Sequence, residues 1–373
     1  MIAPIVSSDP TLKSILSLSA QETLSDYITT IAWSPTGNIV AVASGDGEVR
    51  LLKDFAPISI SPTTGLSIDV LAFSGDGQWL AAGGQNGAVT LWQMDAEIPM
   101  IVDIIQCNSW VDRLVWNPTC NQLAFNQDKT VQVWDADQGE AVISLEGSST
   151  SQDIRWSPDG NHLAIAAQNK VHIWNAQNWT AVRYQWELMS PASSIAWSAD
   201  SHYIACTMHD STVGILDWSK AQHFQNQPVQ SQPVQNQPTD DRDLPILLRG
   251  FPGKVRRLAW SDFPSSVDLP PILAAATREL VTMWMPTLDD LESWVLDLHE
   301  ANVLDIAFQP KNGLLASLSE DGWIILWQAA VEAVQTIEGP EDGFSCLSWH
   351  PHGEHLAAGG QQGELLIWSM SNS

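Results

Sequence analysis

The sequence predicts an all-β fold: an eight-bladed β-propeller of four-stranded antiparallel blades, with the N-terminal strand completing the last blade. Three observations lead there. A unit of short strand-like segments is clearest over residues 303–327, VLDIAFQPKNGLLASLSEDGWIILW. That unit recurs eight times at nearly constant spacing. The ends of the array have complementary defects, an extra strand at the start and a missing one at the finish.

Within residues 303–327 the first segment runs to Phe308 and is broken by Gln-Pro-Lys-Asn-Gly. A second, small-apolar segment ends at Glu320-Asp321-Gly322, and a third closes on Trp327. Turn residues interrupt any 3.6-residue period, so strands explain the pattern better than a helix. The closing position falls at Leu52, Trp92, Trp134, Trp174, Leu216, Trp284, Trp327 and Trp368, and six of the seven intervals are 40 to 43 residues. The aromatic that ends the first strand falls at Trp33, Phe73, Trp116, Trp156, Trp197, Trp260, Phe308 and Trp349. Together these two positions use 12 of the 19 tryptophans, so the repeat dictates where most of them sit.

In chain order, residues 1–12 are expected to be disordered and 13–20 to form a strand that no other strand of its unit precedes. Fourth strands are expected at 140–145, 180–186, 244–248 and 332–337, which puts Trp179 in a third turn. The last unit has no fourth strand. Pairing it with 13–20 closes one domain over 13–369 and removes an exposed edge. The one long interval, 68 residues, holds a Gln/Pro-rich flexible insertion at 219–243 within blade five, lacking aromatics from 225 onward. A second insertion, 261–271, replaces the first turn of blade six.

At these residues the chain resembles the WD-repeat β-propeller family. The Trp-Asp pair stands at Trp134-Asp135, and the Ser-Pro-Asp-Gly turn is intact at Ser157-Pro158-Asp159-Gly160. The resemblance implies a buried hydrogen-bonded set, which by motif position is His299, Ser317, Asp321 and Trp327, in the seventh unit only. It also implies a protein-interaction role; fold alone does not assign an activity.

Composition bounds the partners. The net charge is −27, yet charged residues are only 16% of the chain against a typical ~25%. The acidity reflects scarce bases, 16 Lys plus Arg against 43 Asp plus Glu. That opposes binding to nucleic acid or anionic membrane, because neutralising phosphates requires Lys and Arg. The four cysteines show no metal spacing, and no apolar run reaches the ~20 residues needed to span a bilayer. With no signal-like start, the expectation is a cytoplasmic protein, monomeric on its own, with no cofactor.

Few motifs suggest chemistry. The glycine pairs Gly83-Gly84 and Gly359-Gly360 are followed by no Lys-Ser/Thr and occupy identical repeat positions, which makes them turn glycines rather than a phosphate loop. His350, His352 and His355 are candidate metal ligands, although His355 falls at the repeat position given to His162, His202 and Trp79. No nucleophile motif appears. Arg249, Lys254, Arg256 and Arg257 gather within nine positions, with Asp240, Asp241 and Asp243 upstream to neutralise them or an acidic partner to bind them. The rim built from second turns and blade-to-blade loops carries Trp110 and Arg113, Lys254, Arg256 and Arg257, and Trp323. Trp and Arg most often dominate binding energy. The expected function is therefore a non-enzymatic scaffold that docks an acidic protein segment toward Arg256 and Arg257. The alternative is a channel-site enzyme or metal-handling protein using the histidine run.

Overall fold

The structure, a computed structural model, describes residues 14–96, 98–147, 149–221, 245–263, 270–286, 291–340 and 342–371. Eight four-stranded antiparallel sheets make the ring. In blade seven the strands run Val303–Phe308, Leu315–Ser319, Trp323–Gln328 and Glu332–Glu338, from the channel outward. Blade eight takes its outer strand from the start of the chain: Leu16–Thr23 pairs antiparallel with Glu364–Met370. This strand lies a few residues later than the sequence suggests, because Leu16 is the side chain that enters the core beside Trp368.

The first turn has a recurring cause in most blades. In blade four the Ser157 hydroxyl accepts the His162 backbone N–H at 3.0 Å, and Gly160 adopts a positive φ of 72°. Ser74 holds Trp79 and Ser198 holds Tyr203 in the same way. Tyr203, not His202, therefore shares the repeat position of Trp79 and His162. The tight turn leaves no residue to spare, so the following strand enters in fixed register.

There is no single core. Eight apolar clusters form, one at each blade junction, as expected when each repeat buries its faces only against its neighbours. Second strands such as Trp79–Gly84 and Leu315–Ser319 are buried throughout, which explains their small apolar residues. Gly83 and Gly359, expected in turns, lie instead inside the second strands Trp79–Gly84 and His355–Gly360 and belong to this packing. A Cβ on Gly359 would lie 2.4 Å from Ile28 of blade one, and one on Gly83 would lie 2.7 Å from Val111 of blade three.

Two local expectations change. Trp179 lies inside the outer strand Asn178–Glu187, where its ring meets Trp156 edge-on, rather than in a turn. Residues 219–221, assigned from sequence to the flexible insertion, complete a one-turn helix, Trp218–Ala221, whose Trp218 is buried against His162 and Trp197. The expectations for 1–12, for 225–243 and for most of 261–271 fall outside the described residues.

Deleting residues 1–23 should unpair Glu364–Met370 and expose a strand edge. A lower melting temperature and concentration-dependent association in sedimentation are expected; a monomer that melts unchanged would contradict the closure. Trp327→Ala should lower stability by about 3–5 kcal/mol, since the ring is fully buried. Trp179→Ala, at a half-buried position, should cost clearly less in denaturant titration.

Candidate functional site

The inner strands enclose a central channel of about 1120 Å³. Its wall is set by repeat position. Side chains three and four residues before the inner-strand aromatic face the channel, and in this chain they are Asp69, Asp112, Arg113, Asp153, Arg256, Arg257 and Asp305 alongside neutral residues. Lys254 and Arg155 also line it. Five of the chain's 16 bases thus converge on the channel, facing four carboxylates, within a protein of net charge −27.

Much of this charge bridges neighbouring blades. Asp153 accepts the Ile195 N–H and the Ser194 hydroxyl of blade five, both at 2.9 Å. Asp305, at the same position of blade seven, accepts the Leu347 N–H of blade eight at 3.1 Å. The Arg257 Nε lies 3.3 Å from Asp305 across the junction of blades six and seven. Burial pushes the Asp305 carboxyl up, opposed by the Arg257 charge and by backbone N–H donors. Arg113 donates through Nε to the Gln152 carbonyl of blade four at 2.8 Å, and its Nη1 meets Asp112 at 3.1 Å. Arg155 pairs with Asp153 at 3.3 Å. Lys254 and Arg256 are exposed and make no ion pair among the described residues.

The residues expected on the docking rim therefore divide. Lys254, Arg256, Arg257 and Arg113 share the channel; Arg249, Trp110 and Trp323 do not line it. Trp110 is 53% exposed, but its indole N–H donates to Asp69 at 2.6 Å, tying the loop to blade two. Trp323 is 38% exposed; its backbone N–H donates to Asp321 at 2.9 Å, and it pairs with Glu338 in the blade's sheet. Arg249 is exposed just after the outer strand Ile246–Leu248. Sequence reasoning overlooked Asp69, Asp112, Asp153, Arg155 and Asp305. Counting back from the aromatic of every repeat would have found four of them.

His299, Ser317, Asp321 and Trp327 form one chain of hydrogen bonds. The His299 ring contacts Asp321 at 2.9 Å and Ser317 at 2.8 Å, and the Trp327 indole donates to the same hydroxyl at 2.8 Å. At the position of Ser317 the other blades carry Val42, Ala82, Phe125, Ile165, Cys206, Ala275 and Ala358, so the indole N–H groups of Trp92, Trp134, Trp174 and Trp284 are buried without a protein acceptor.

The donor atoms of His350, Glu354 and His355 lie within 4.8 Å of one another; His352 is not in the group. Both imidazoles have packing duties. His350 Nδ1 accepts the His352 backbone N–H at 3.2 Å, and His355 Nδ1 is bonded to Ser369 at 2.8 Å. Trp33 of blade one packs edge-on against His350 and stacks on His355. Cys346, in the channel wall, is pushed up to about 12 by burial and stays a thiol at neutral pH.

A ring of eight four-stranded antiparallel sheets defines a β-propeller. The family model "WD domain, G-beta repeat" matches residues 12–52, 62–93, 139–175, 292–328 and 331–369. The chain belongs to the WD-repeat family. Four of the five matches begin within a few residues of the start of one blade's outer strand and end with the third strand of the next, so the sequence repeat is one strand out of phase with the blade. Blades three, five and six contain no complete match from inner to third strand. A curated relative, "Telomerase protein component 1" of Mus musculus, is 24% identical over 369 residues. The alignment takes in 95% of this chain and 11% of that protein, so the chain spans about a tenth of the relative's length. No helix among the described residues is long and apolar enough to cross a membrane.

Burial holds the His299 ring below its ordinary value, with Asp321 pulling the other way. Burial alone would raise Asp321, but the Trp323 N–H and the His299 ring keep its carboxyl below the usual range. Both folded values are depressed, so their stabilisation is present above the unfolded values, about 6.5 for histidine and about 3.9 for aspartate, and is lost as pH falls. The denaturant midpoint should therefore drop between pH 7 and pH 5. His299→Gln should start lower at pH 7 and lose less over that range; parallel curves would remove His299 as a cause.

Proposed function

We propose that this propeller is a non-enzymatic interaction scaffold of the cytoplasm that seats an acidic segment of a partner protein at the blade-six side of the channel mouth. WD-repeat propellers generally serve as non-catalytic scaffolds, which supports the class. The observation that carries the finer reading is the inversion of charge: an acidic protein gathers five bases in one channel and leaves Lys254 and Arg256 unpaired there among the described residues. A carboxylate entering this mouth meets two unspent cations between low-dielectric walls, which strengthens and steers the encounter.

Arg257 and Arg113 have other work. Each spans a blade junction, and removing Arg257 would strand the Asp305 carboxylate in the wall. Lys254 and Arg256 are the recognition pair, and Trp323, exposed on the adjacent blade, offers a further aromatic surface. Four cysteines without a disulfide fit a reducing compartment.

Calorimetry with a capped hexaglutamate peptide tests the reading. Lys254→Ala/Arg256→Ala should weaken binding by about 2 kcal/mol or more, and Trp323→Ala should weaken binding of a partner retained from lysate. Added salt should weaken the peptide further. Unchanged affinity in folded Lys254→Ala/Arg256→Ala protein, with loss on deleting 225–243, would move the site to the opposite rim.

A further inference from the structure

The outer strand of blade two, Met100–Gln106, differs from the rest of the circumference. Among the described residues it pairs with no strand but Ala88–Gln93 on its inner side, so its other edge carries no partner strand; the Ile104 N–H is engaged by the Asp103 carboxylate at 2.8 Å. Ile98, Met100, Ile101, Val102 and Ile104 are all exposed, five of the fifteen large apolar side chains so exposed among the described residues, within seven positions. Other outer strands are blunted. Glu140–Glu146 has a glutamate at each end, Ala56–Ser61 contains Pro57, Asn178–Glu187 carries Arg183, and Ile246–Leu248 is three residues long. Met100–Gln106 has a single charge, Asp103, and none of the lysines that keep edge strands apart.

Charge around this edge restricts what can cover it. Residues 54–112 contain no Lys or Arg and seven Asp or Glu, among them Asp95, Glu97 and Asp103. A second copy of the chain would bring the same acidic stretch against itself and pair Asp103 close to Asp103 in an antiparallel register. An anionic lipid surface meets the same repulsion. A cationic strand does not.

The geometry points to Met100–Gln106 as a strand-addition site for an extended, apolar segment of a partner protein with flanking lysines or arginines. Main-chain hydrogen bonds to the open edge supply register, and alternate apolar side chains cover Met100, Val102 and Ile104. The flanking cations suit the acidic stretch around the strand, in which Asp95 lies just before it. This surface lies on the outer circumference and is independent of the channel mouth.

The probe is a capped peptide of alternating threonine and valine with a lysine at each end, alongside versions carrying glutamate at the ends or N-methylated on alternate amides. Fluorescence anisotropy should show binding of the lysine peptide only. Met100→Lys/Ile104→Lys, two exposed positions, should weaken it by about tenfold, and the bound peptide should slow amide exchange within 100–106. Equal binding of the glutamate or N-methylated peptide, protection elsewhere, or no binding at millimolar peptide would overturn the proposal. So would self-association in sedimentation that Met100→Lys/Ile104→Lys abolishes, since that names a second copy as the occupant. Cosedimentation with phosphatidylcholine vesicles lost in the same variant would assign the edge to lipid instead.

Discussion

An indole N–H reaching a backbone carbonyl of the preceding blade is the contact on which the ring depends. Trp33 donates to Ser348, Trp116 to Ala72, Trp197 to Arg155, Trp260 to Ala196 and Trp349 to Ala307, over 2.9 to 3.4 Å. The acceptor is always the residue before the aromatic position. Inner strands of neighbouring blades form no ladder with one another, so apolar packing alone would let blades slide. A directional bond from a rigid ring fixes their offset. Where it is missing, another inner-strand side chain crosses. Thr29 bonds the Ile68 carbonyl between blades one and two, Arg113 reaches Gln152 between three and four, and Arg257 meets Asp305 between six and seven.

This substitution explains why the channel wall is charged. Phe73 and Phe308 cannot donate, and Trp156 is buried with its N–H unpaired, so three junctions lack the indole bond. Two of those three are spanned by arginine. A guanidinium offers several donors in a fixed plane and stays charged when desolvated. Lys254 and Arg256, without an ion pair among the described residues, stand out because their neighbours are already committed.

The repeat was legible because its markers are local: a serine turn, a glycine with positive φ, an aromatic a fixed distance on. His299 and Ser317 could be placed for the same reason. What stayed hidden are contacts one repeat away. Trp110 finds Asp69 across 41 residues, Arg113 finds Gln152 across 39, and Asp153 finds Ile195 across 42. Read locally, Trp110 and Arg113 look unoccupied. Trp179 was misplaced because the outer strand of blade four, ten residues long, starts earlier than its neighbours do.

The phase offset between repeat and blade has a kinetic consequence. Seven blades can form from contiguous chain, but the eighth joins Leu16–Thr23 to residues up to 354 positions away. Loop-closure entropy grows only logarithmically, so this circle costs about 2 kcal/mol more than closing one 40-residue unit. The barrier lies in order of events: an arc of seven blades must exist before the two ends meet. Such long-range pairing makes folding slow. It also makes the last step a latch, which sets how quickly the ring can spring open once formed.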